Sequence, residues 1–594
     1  MHRRLWLLAG AAAAVLLLAA SATATTKFAG SAQASHATQA AAPFALSWAQ
    51  VPRTSAARKA ANVVVVGAEQ TFNGYNTILS CCNQLWATFA GGEETAHGAF
   101  IQNQKGDWVK DLVTSAAATA KGVTYTIRPD AYWYWGGKKL PVTYKDFVYT
   151  LQQIDDPKND LAGRTGYSQL DPTKCTHKGD KQVTCVWKTT NCSSDFPCGP
   201  YANWQAIFSG LYPAEALAGM DFNKIWTNCV CGNDGQPVSN GPYYVSNYTT
   251  GQGVTLKANP YYYKKAKIAE IDFKFITDTN TEEEAMRGGE VDLITPTFGL
   301  YLLPLKTTPG LTFDQVPGYY FEHLDIREGN AKAGPSVSKG ASNVLLRAPW
   351  MRQAIMMGID RQSIINTVYG SLAAGAKPMD NMLYYSTQSA YKPDFSPWDF
   401  NAAKALAQLK KHCTGGPSSV DPSTSAVWTC SGLPAVFNWS WTSSNSVRTT
   451  TNAIVTQELK SIGIKINPRP TPANVIFGAN GLPSGDFDIA EFAQITTGDP
   501  GDWYDQNRCQ GDGNWDGFCS HAVDTLTKAA AGELDPAKRT ADFQQADVLL
   551  SKLVPMIPFY QRPSPVIHKA DLLGVVNNPA LPGTYWNIQE WHWK

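Results

Sequence analysis

Residues 239–296 decide the fold. They read SNGPYYVSNYTTGQGVTLKANPYYY and, after a short link, IDFKFITDTNTEEEAMRGGEVDLITP. The Gly241-Pro242 turn opens a strand over 243–248. The turn-rich run 249–253 reverses it, and the alternation over 254–258 is that of a partner strand, closed by Asn259-Pro260. A third alternating strand covers 271–276. A helix follows over 279–288. Thr279 is placed to cap it, Glu282, Glu283 and Glu284 suit its positive first turn, and Gly288-Gly289 end it. The apolar 291–294 returns as a buried strand. Strands interleaved with a crossover helix make an α/β core.

Outward from this core, NVVVVG (62–67) is a β-branched first strand leading into the polar and aromatic loop AEQTFNGYN. Residues 123–128 alternate as another strand. In AYWYWGGKKLPVTYKDFVYTLQQIDDP, Gly136-Gly137 makes a turn and Thr143 with Asp146 forms a capping-box pattern. Phe147, Leu151 and Ile154 then share a helical face, and Trp133 and Trp135 either stack on a ligand or pack under the turn. PGYYFEHLD (317–325) reads as a crossover strand. Trp350, Ala354, Met357 and Ile364-Ile365 have helical spacing, with Asp360 capping a second helix and Asp360 and Arg361 both structural. Helices at 399–413, 447–462 and 535–553 alternate with strands at 433–441, 462–470 and 554–569.

A chain of 594 residues exceeds one core, so two or three lobes are expected. Lys+Arg 50 against Asp+Glu 49 provides no basic face, which argues against nucleic acid or an anionic membrane as partner. The 19 Trp, 25 Tyr and 23 Phe suffice to line an apolar cleft as well as to fill cores. Residues 1–24, MHRRLWLLAGAAAAVLLLAASATA, have the parts of a secretory signal peptide: Arg3 and Arg4, a short apolar run over 5–20, and an Ala22-Thr23-Ala24 cleavage site. An uncleaved anchor is the alternative. The Ala/Ser/Thr-rich residues 25–59 read as a flexible leader.

Twelve cysteines fit an oxidising compartment. Local disulfides are expected for Cys175 with Cys185, Cys192 with Cys198, Cys413 with Cys430, and Cys509 with Cys519. Adjacent cysteines seldom bridge internally, so Cys81 and Cys82 are expected to bridge Cys229 and Cys231. Irregular spacing and only 9 His argue against a zinc site, and no metal is expected. There is no G-x-S-x-G elbow, H-E-x-x-H pair or P-loop, and His521 near Cys519 and Asp524 reads as a surface loop.

In order along the chain these motifs resemble the extracellular solute-binding proteins of peptide (dipeptide/oligopeptide) ABC transporters, family 5. The 239–296 run matches that family's Gly-Pro-Tyr hairpin, Asn-Pro and Gly-Glu-x-Asp elements. VLLRAPWMRQAIMMGIDRQSIINTVYGS matches at Arg352, Gln353, Ala354, Ile359, Asp360, Arg361, Ile364, Tyr369 and Gly370. GDFDIAEFAQITTGDPGDW matches its Gly-Asp-Phe-Asp and Asp-Pro elements, so the resemblance runs from about residue 60 to the C-terminus. It implies a periplasmic-binding-protein-like α/β fold, two main lobes joined by a hinge, with an extra subdomain on the first. Lobe I would comprise 60–93, 240–317 and 563–594, the Cys-rich lobe II 94–239, and lobe III 318–562, with hinges near Asn240 and Pro317. The lipid-anchoring cysteine common in Gram-positive members is absent from the first 80 residues.

The resemblance also implies a ligand site. Glu69, Thr71 and Phe72 follow the first strand and would face the ligand, as would Tyr319, Gln494, Thr496, Thr497 and Asp499. In peptide-binding relatives an Asp before the Asp-Pro element grips the ligand ammonium. That position is Thr496 here, with Asp499 or Asp502 as substitutes, Asp499 also reading as a turn residue. The carboxylate-binding Arg of dipeptide binders is missing from WSWTSSNSVR, whose Arg448 belongs to the next helix. Trp439 and Trp441 share one strand face, directed at the cleft or the core. The reading is a secreted, monomeric, non-enzymatic receptor without cofactor, which closes on a peptide and delivers it to an ABC permease. The alternatives are an oligosaccharide or other uncharged solute, a peptide sensor, and a secreted hydrolase.

Overall fold

The computed structural model describes residues 54–190, 192, 197–329 and 344–594. The signal peptide and most of the leader lie outside these residues. The strands of the main sheet are β1 (Val63–Ala68), β2 (Tyr243–Thr249), β3 (Gly253–Ala258), β4 (Glu270–Phe275), β5 (Leu293–Ile294), β6 (Leu311–Ile326), β7 (Val436–Thr442), β8 (Lys465–Thr471), β9 (Ile489–Ile495) and β10 (Met556–Lys569). The longer helices used below are α1 (Tyr144–Asp155), α2 (Thr279–Arg287), α3 (Pro349–Met357), α4 (Arg361–Val368), α5 (Ser446–Ser461) and α6 (Pro536–Leu553).

The ten strands form one mixed sheet in the order β2-β3-β4-β1-β5-β10-β6-β9-β7-β8. The 239–296 stretch builds one end of it. There β1 runs parallel to β4 and β5 and is buried along its whole length, as a strand covered on both faces must be. At the other end β7 lies parallel to both β8 and β9.

The long strands β6 and β10 join the two ends. Their antiparallel register breaks between Pro317 and Phe321. Pro317, Pro563 and Pro565 lack an N–H, so the ladder cannot run unbroken there.

Three large apolar cores follow from this arrangement, with a fourth, small cluster around Phe487 and Phe492. One lies under β1–β4 and includes Val64, Phe273 and Trp591. A second packs α3, α4, α5 and α6 on the β6–β9 region. The third, around Tyr125, Trp133 and Phe147, belongs to the insertion that carries α1 and a separate four-stranded sheet.

Several local expectations meet their atoms. Thr143 and Asp146 form the capping box of α1, and Asp360 Oδ1 accepts from Ser363 N at 2.9 Å to cap α4. Arg361 is buried and donates to the carbonyls of Met379 and Pro558 and to Asp380, which makes it a structural cross-brace. Trp133 packs in the core, while the half-buried Trp135 donates to Asp234 Oδ1 at 2.7 Å.

Others need correction. The cap of α2 is Asp278, which accepts from Thr281 N at 2.9 Å, while Thr279 is buried against Ser446. Glu282 does lie in the first turn of α2, as expected, but its surroundings were not foreseen. It is fully buried beside Gly67 of β1, and burial with the nearby Glu69 pushes its carboxyl well up. Residues 55–59, expected in the leader, belong to a helix at Ser55–Ala61. The cause is Arg58, which is 1% exposed and donates to both oxygens of Asp292 at 2.6 Å.

The four local disulfides are present. The other four cysteines pair as Cys81 with Cys82 and Cys229 with Cys231, not across. Cys82 packs against the Gly74 segment, which in turn contacts the 226–227 backbone. The Gly74 segment is tied down by a Tyr75 N to Trp226 O bond of 2.7 Å, and a Cβ at Gly74 would lie 3.3 Å from both Cys82 Sγ and Thr227 Cα. No helix among the described residues is long and apolar enough to cross a membrane.

Candidate ligand cavity

A cavity of about 330 Å³ opens beside the register break of β6 and β10. The loop after β1 contributes Glu69 and Gln70, and the segment 83–88 contributes Gln84 and Trp86. The end of β9 contributes Phe492 to Ile495, followed by Thr496 and Thr497. Phe477, Trp515 and Met556 complete apolar walls. This mixture of aromatic walls and a few polar groups is what a small-molecule site requires.

The β9 backbone is unusual here. It pairs with β6 as far as Ile495 but with β7 only from Ile489 to Glu491. Residues 492–495 therefore present a strand edge beyond the last β7 rung, and they line the cavity.

Two groups of charges face the space. The first is the pair Arg448 and Arg562, which line the cavity; behind them, outside the lining, Glu322 receives Arg448 Nε at 2.6 Å and has Arg562 Nη1 at 3.7 Å. Burial favours protonation of Glu322, but the two guanidiniums overcome it and hold the carboxyl below its ordinary range. Its neighbour Glu491 has no such partner of its own, so burial and the charge of Glu322 push it well up. Glu69 joins this group by accepting Thr297 N at 2.8 Å and Thr297 Oγ1 at 2.9 Å.

The second group comprises His323, Asp325 and Asp516. Asp325 Oδ1 has no hydrogen-bond partner and lies 3.3 Å from His323 Nε2. Burial, with Asp325 close by, pushes Asp516 well up.

At the rim, Asp502 accepts both the amide and the hydroxyl of Thr497, at 2.7 and 2.6 Å. Burial and the Asp499 charge push it up to about 7.

Of the residues singled out in the sequence, Glu69, Gln494, Thr496 and Thr497 line the cavity and six do not. Phe72 stacks on Tyr248 in the first core, and Thr71 is half-buried outside the cavity. Tyr319 packs on Gly498, whose φ of 85° and lack of a Cβ permit the approach. Asp499 is an N-cap for Gly501 and an ion-pair partner of Arg539 at 2.5 Å, which confirms its turn role. Trp439 and Trp441 share a face as expected, but that face is core. β7 has parallel strands on both edges, and the face that carries Phe437, Trp439 and Trp441 is buried in the core to which α5 contributes.

Sequence reasoning missed Arg562, His323, Asp325, Phe492 and Trp515. No local motif marks them, and only the pairing of β6 with β10 and β9 brings them together.

No serine or cysteine is among the described residues that line the cavity. Outside it, Cys509, Cys519 and His521 lie close together, but both sulfurs are in a disulfide and so are not thiolate ligands. A mixed α/β fold with a lined cavity beside the strand crossovers is an architecture that suits solute binding. The family model for bacterial extracellular solute-binding proteins, family 5, matches residues 107–515, and the chain belongs to that family.

The periplasmic murein peptide-binding protein of Escherichia coli is 24% identical over 504 residues, covering 81% of this chain and 85% of that protein. The oligopeptide-binding protein AppA of Bacillus subtilis, solved with a nonapeptide, superposes with a TM-score of 0.75 at 17% identity, covering 90% of this chain and 99% of that one. A periplasmic EDTA-binding protein superposes with a TM-score of 0.73 at 21% identity, covering 89% of this chain and 96% of that one. These structural likenesses show the fold.

Proposed function

We propose that this protein is a secreted receptor of an ABC importer that captures a short peptide in the cavity and presents it to a membrane permease. The observation that carries the reading is the strand edge at 492–495. An extended peptide laid along it would extend the sheet by one strand, with main-chain bonds supplying affinity and the aromatic walls accepting side chains. The peptide-binding relatives support the same solute class. The oligosaccharide alternative loses one of its two motives, because Trp439 and Trp441 are core residues, and keeps the other, the missing dipeptide charge anchors.

Lobe I (60–93, 240–317, 563–594) with lobe II (94–239) would close as one body on lobe III (318–562). The movement would be absorbed at Pro317 and Pro563, where the β6–β10 ladder is interrupted. Contacts that exist only in the closed form would hold it. Arg164 Nη1 meets Asp512 at 2.6 Å, the Arg164 and Thr165 amides meet Asp505 at 2.8 and 2.9 Å, and Gln102 Nε2 meets Thr497 O at 2.9 Å.

The test is native mass spectrometry of the mature protein offered a pool of tri- to pentapeptides and a pool of oligosaccharides. Peptide adducts on a monomer are expected. Sugar adducts with no peptide adducts would overturn the assignment.

A further inference from the structure

We propose that Arg562 is the anchor for a carboxylate of the bound solute, so that the ligand class is acidic at the end reaching the β6–β10 break. This rests on the reading of the cavity as the ligand site. Arg562 stands on β10 beside that break, is 7% exposed, and lines the cavity.

A guanidinium offers five N–H donors and, when buried, needs acceptors for them. Arg562 has almost none. Among the described residues its Nε has no partner, its Nη2 reaches Thr297 Oγ1 only at 3.5 Å, and its Nη1 is 3.7 Å from Glu322, beyond hydrogen-bond range.

Arg448, on the same wall, is the contrast. Its Nε and Nη2 both go to Glu322, at 2.6 and 3.4 Å, and its Nη1 goes to Thr442 Oγ1 at 3.0 Å. Arg448 thus engages both oxygens of Glu322. The other nearby carboxylate, Glu69, is occupied by the amide and hydroxyl of Thr297. Neither acid is placed to fill the Arg562 fork.

The fork is nevertheless oriented and charged. Its guanidinium carbon lies 5.0 Å over the ring of Tyr320. Burial disfavours its charge, but Tyr320, Glu322 and Glu69 more than offset this and keep the group protonated. A planar carboxylate accepts from such a fork at two points, which a lysine or an amide cannot reproduce.

The carboxylate can come from a peptide C-terminus or from an Asp or Glu side chain, and the experiment separates them. The mature protein is offered three equimolar arms of tri- to pentapeptides: free acids without Asp or Glu, the C-terminal amides of the same peptides, and amides carrying one Glu. Ligands retained through desalting are released and quantified. The wild type is expected to enrich free acids over acid-free amides by about ten- to a hundredfold, the range for losing a charged hydrogen bond. R562Q is expected to abolish the preference.

Enrichment of the Glu-bearing amides as well assigns the contact to any carboxylate, and enrichment of free acids alone assigns it to the terminus. Both support the proposal. Equal retention of acids and acid-free amides, or a preference that survives in R562Q, overturns it while leaving the peptide reading intact. Retention of no peptide in any arm overturns the peptide reading. Thermal stabilisation by succinate then decides for Arg562: an upward shift in the wild type that R562Q lacks supports it, and no shift overturns it. Should R562Q not fold, the same arms are read on the wild type and R562K, where equal retention in the wild type again overturns the proposal.

Discussion

Replacing Arg448 by Met should destabilise this protein by an amount that grows with pH. The side chains of Arg448 and Glu322 are 3% and 2% exposed and meet at 2.6 Å. Arg448→Met keeps much of the buried stem but removes the charge, leaving Glu322 in a dry site. Breaking a buried pair from one side costs about 3–5 kcal/mol. The lower part of that range is expected, because Arg562 stands 3.7 Å from the same carboxylate and can move toward it.

The sign with pH follows from the environment. In the wild type the two guanidiniums hold Glu322 below its ordinary range, so its contribution is present above the unfolded value and is lost as pH falls. Without Arg448 the largest remaining influence is burial, which raises the folded value. The variant is then least impaired in acid, and loses stability as pH rises through that raised value. Guanidinium denaturation at pH 5 and pH 8 should show the larger deficit at pH 8. The double variant Glu322→Gln with Arg448→Met should recover part of it, since no carboxylate is left uncompensated. A deficit below about 1 kcal/mol at pH 8, or a double variant no more stable than the single, would refute the reasoning.

Arg164→Ala should release the closed form, because it removes the 2.6 Å contact with Asp512 across the proposed closure. The ligand-free protein should then give a larger radius of gyration by X-ray scattering, and profiles identical to wild type would sink the latch role. Asp502 is pushed up to about 7 by burial and Asp499, so its contribution to stability is full in acid and is lost as pH rises through about 7. Asp502→Asn should therefore flatten the melting temperature between pH 5 and pH 8.5, and an unchanged slope would place the titration elsewhere. Non-reducing peptide mapping should find Cys81 joined to Cys82 and Cys229 joined to Cys231 within single peptides, and a cross-linked pair of peptides would contradict that pairing.

Much of the architecture was legible because it is local. The 239–296 run predicts three strands, a helix and a return, and all five elements are there within a residue or two. The capping pairs Thr143–Asp146 and Asp360–Ser363 and the four short-range disulfides depend on neighbours close in sequence. The site was legible only in part. Glu69 and the 494–497 segment were found through family motifs that name them by position.

The remainder depended on partners far along the chain. Alternation put Trp439 and Trp441 on one face but carries no sign for which face meets the cleft. That sign came from the layer packed on the sheet, since Trp439 and Trp441 share a core with Val447, Val455 and Leu459 of α5. Adjacent cysteines were expected to pair across, but each group closes on itself as Cys81–Cys82 and Cys229–Cys231. Arg562 looks like any strand residue in PFYQRPSP. Among the described residues its one hydrogen-bond acceptor is Thr297, 265 residues away, and its burial is set by the crossing of β6 and β10. The sequence alone therefore determined the elements, their caps and the family. The tertiary structure decided which charges are paired and which are left open to a ligand, because burial and hydrogen-bond supply belong to the assembled sheet and not to any single strand.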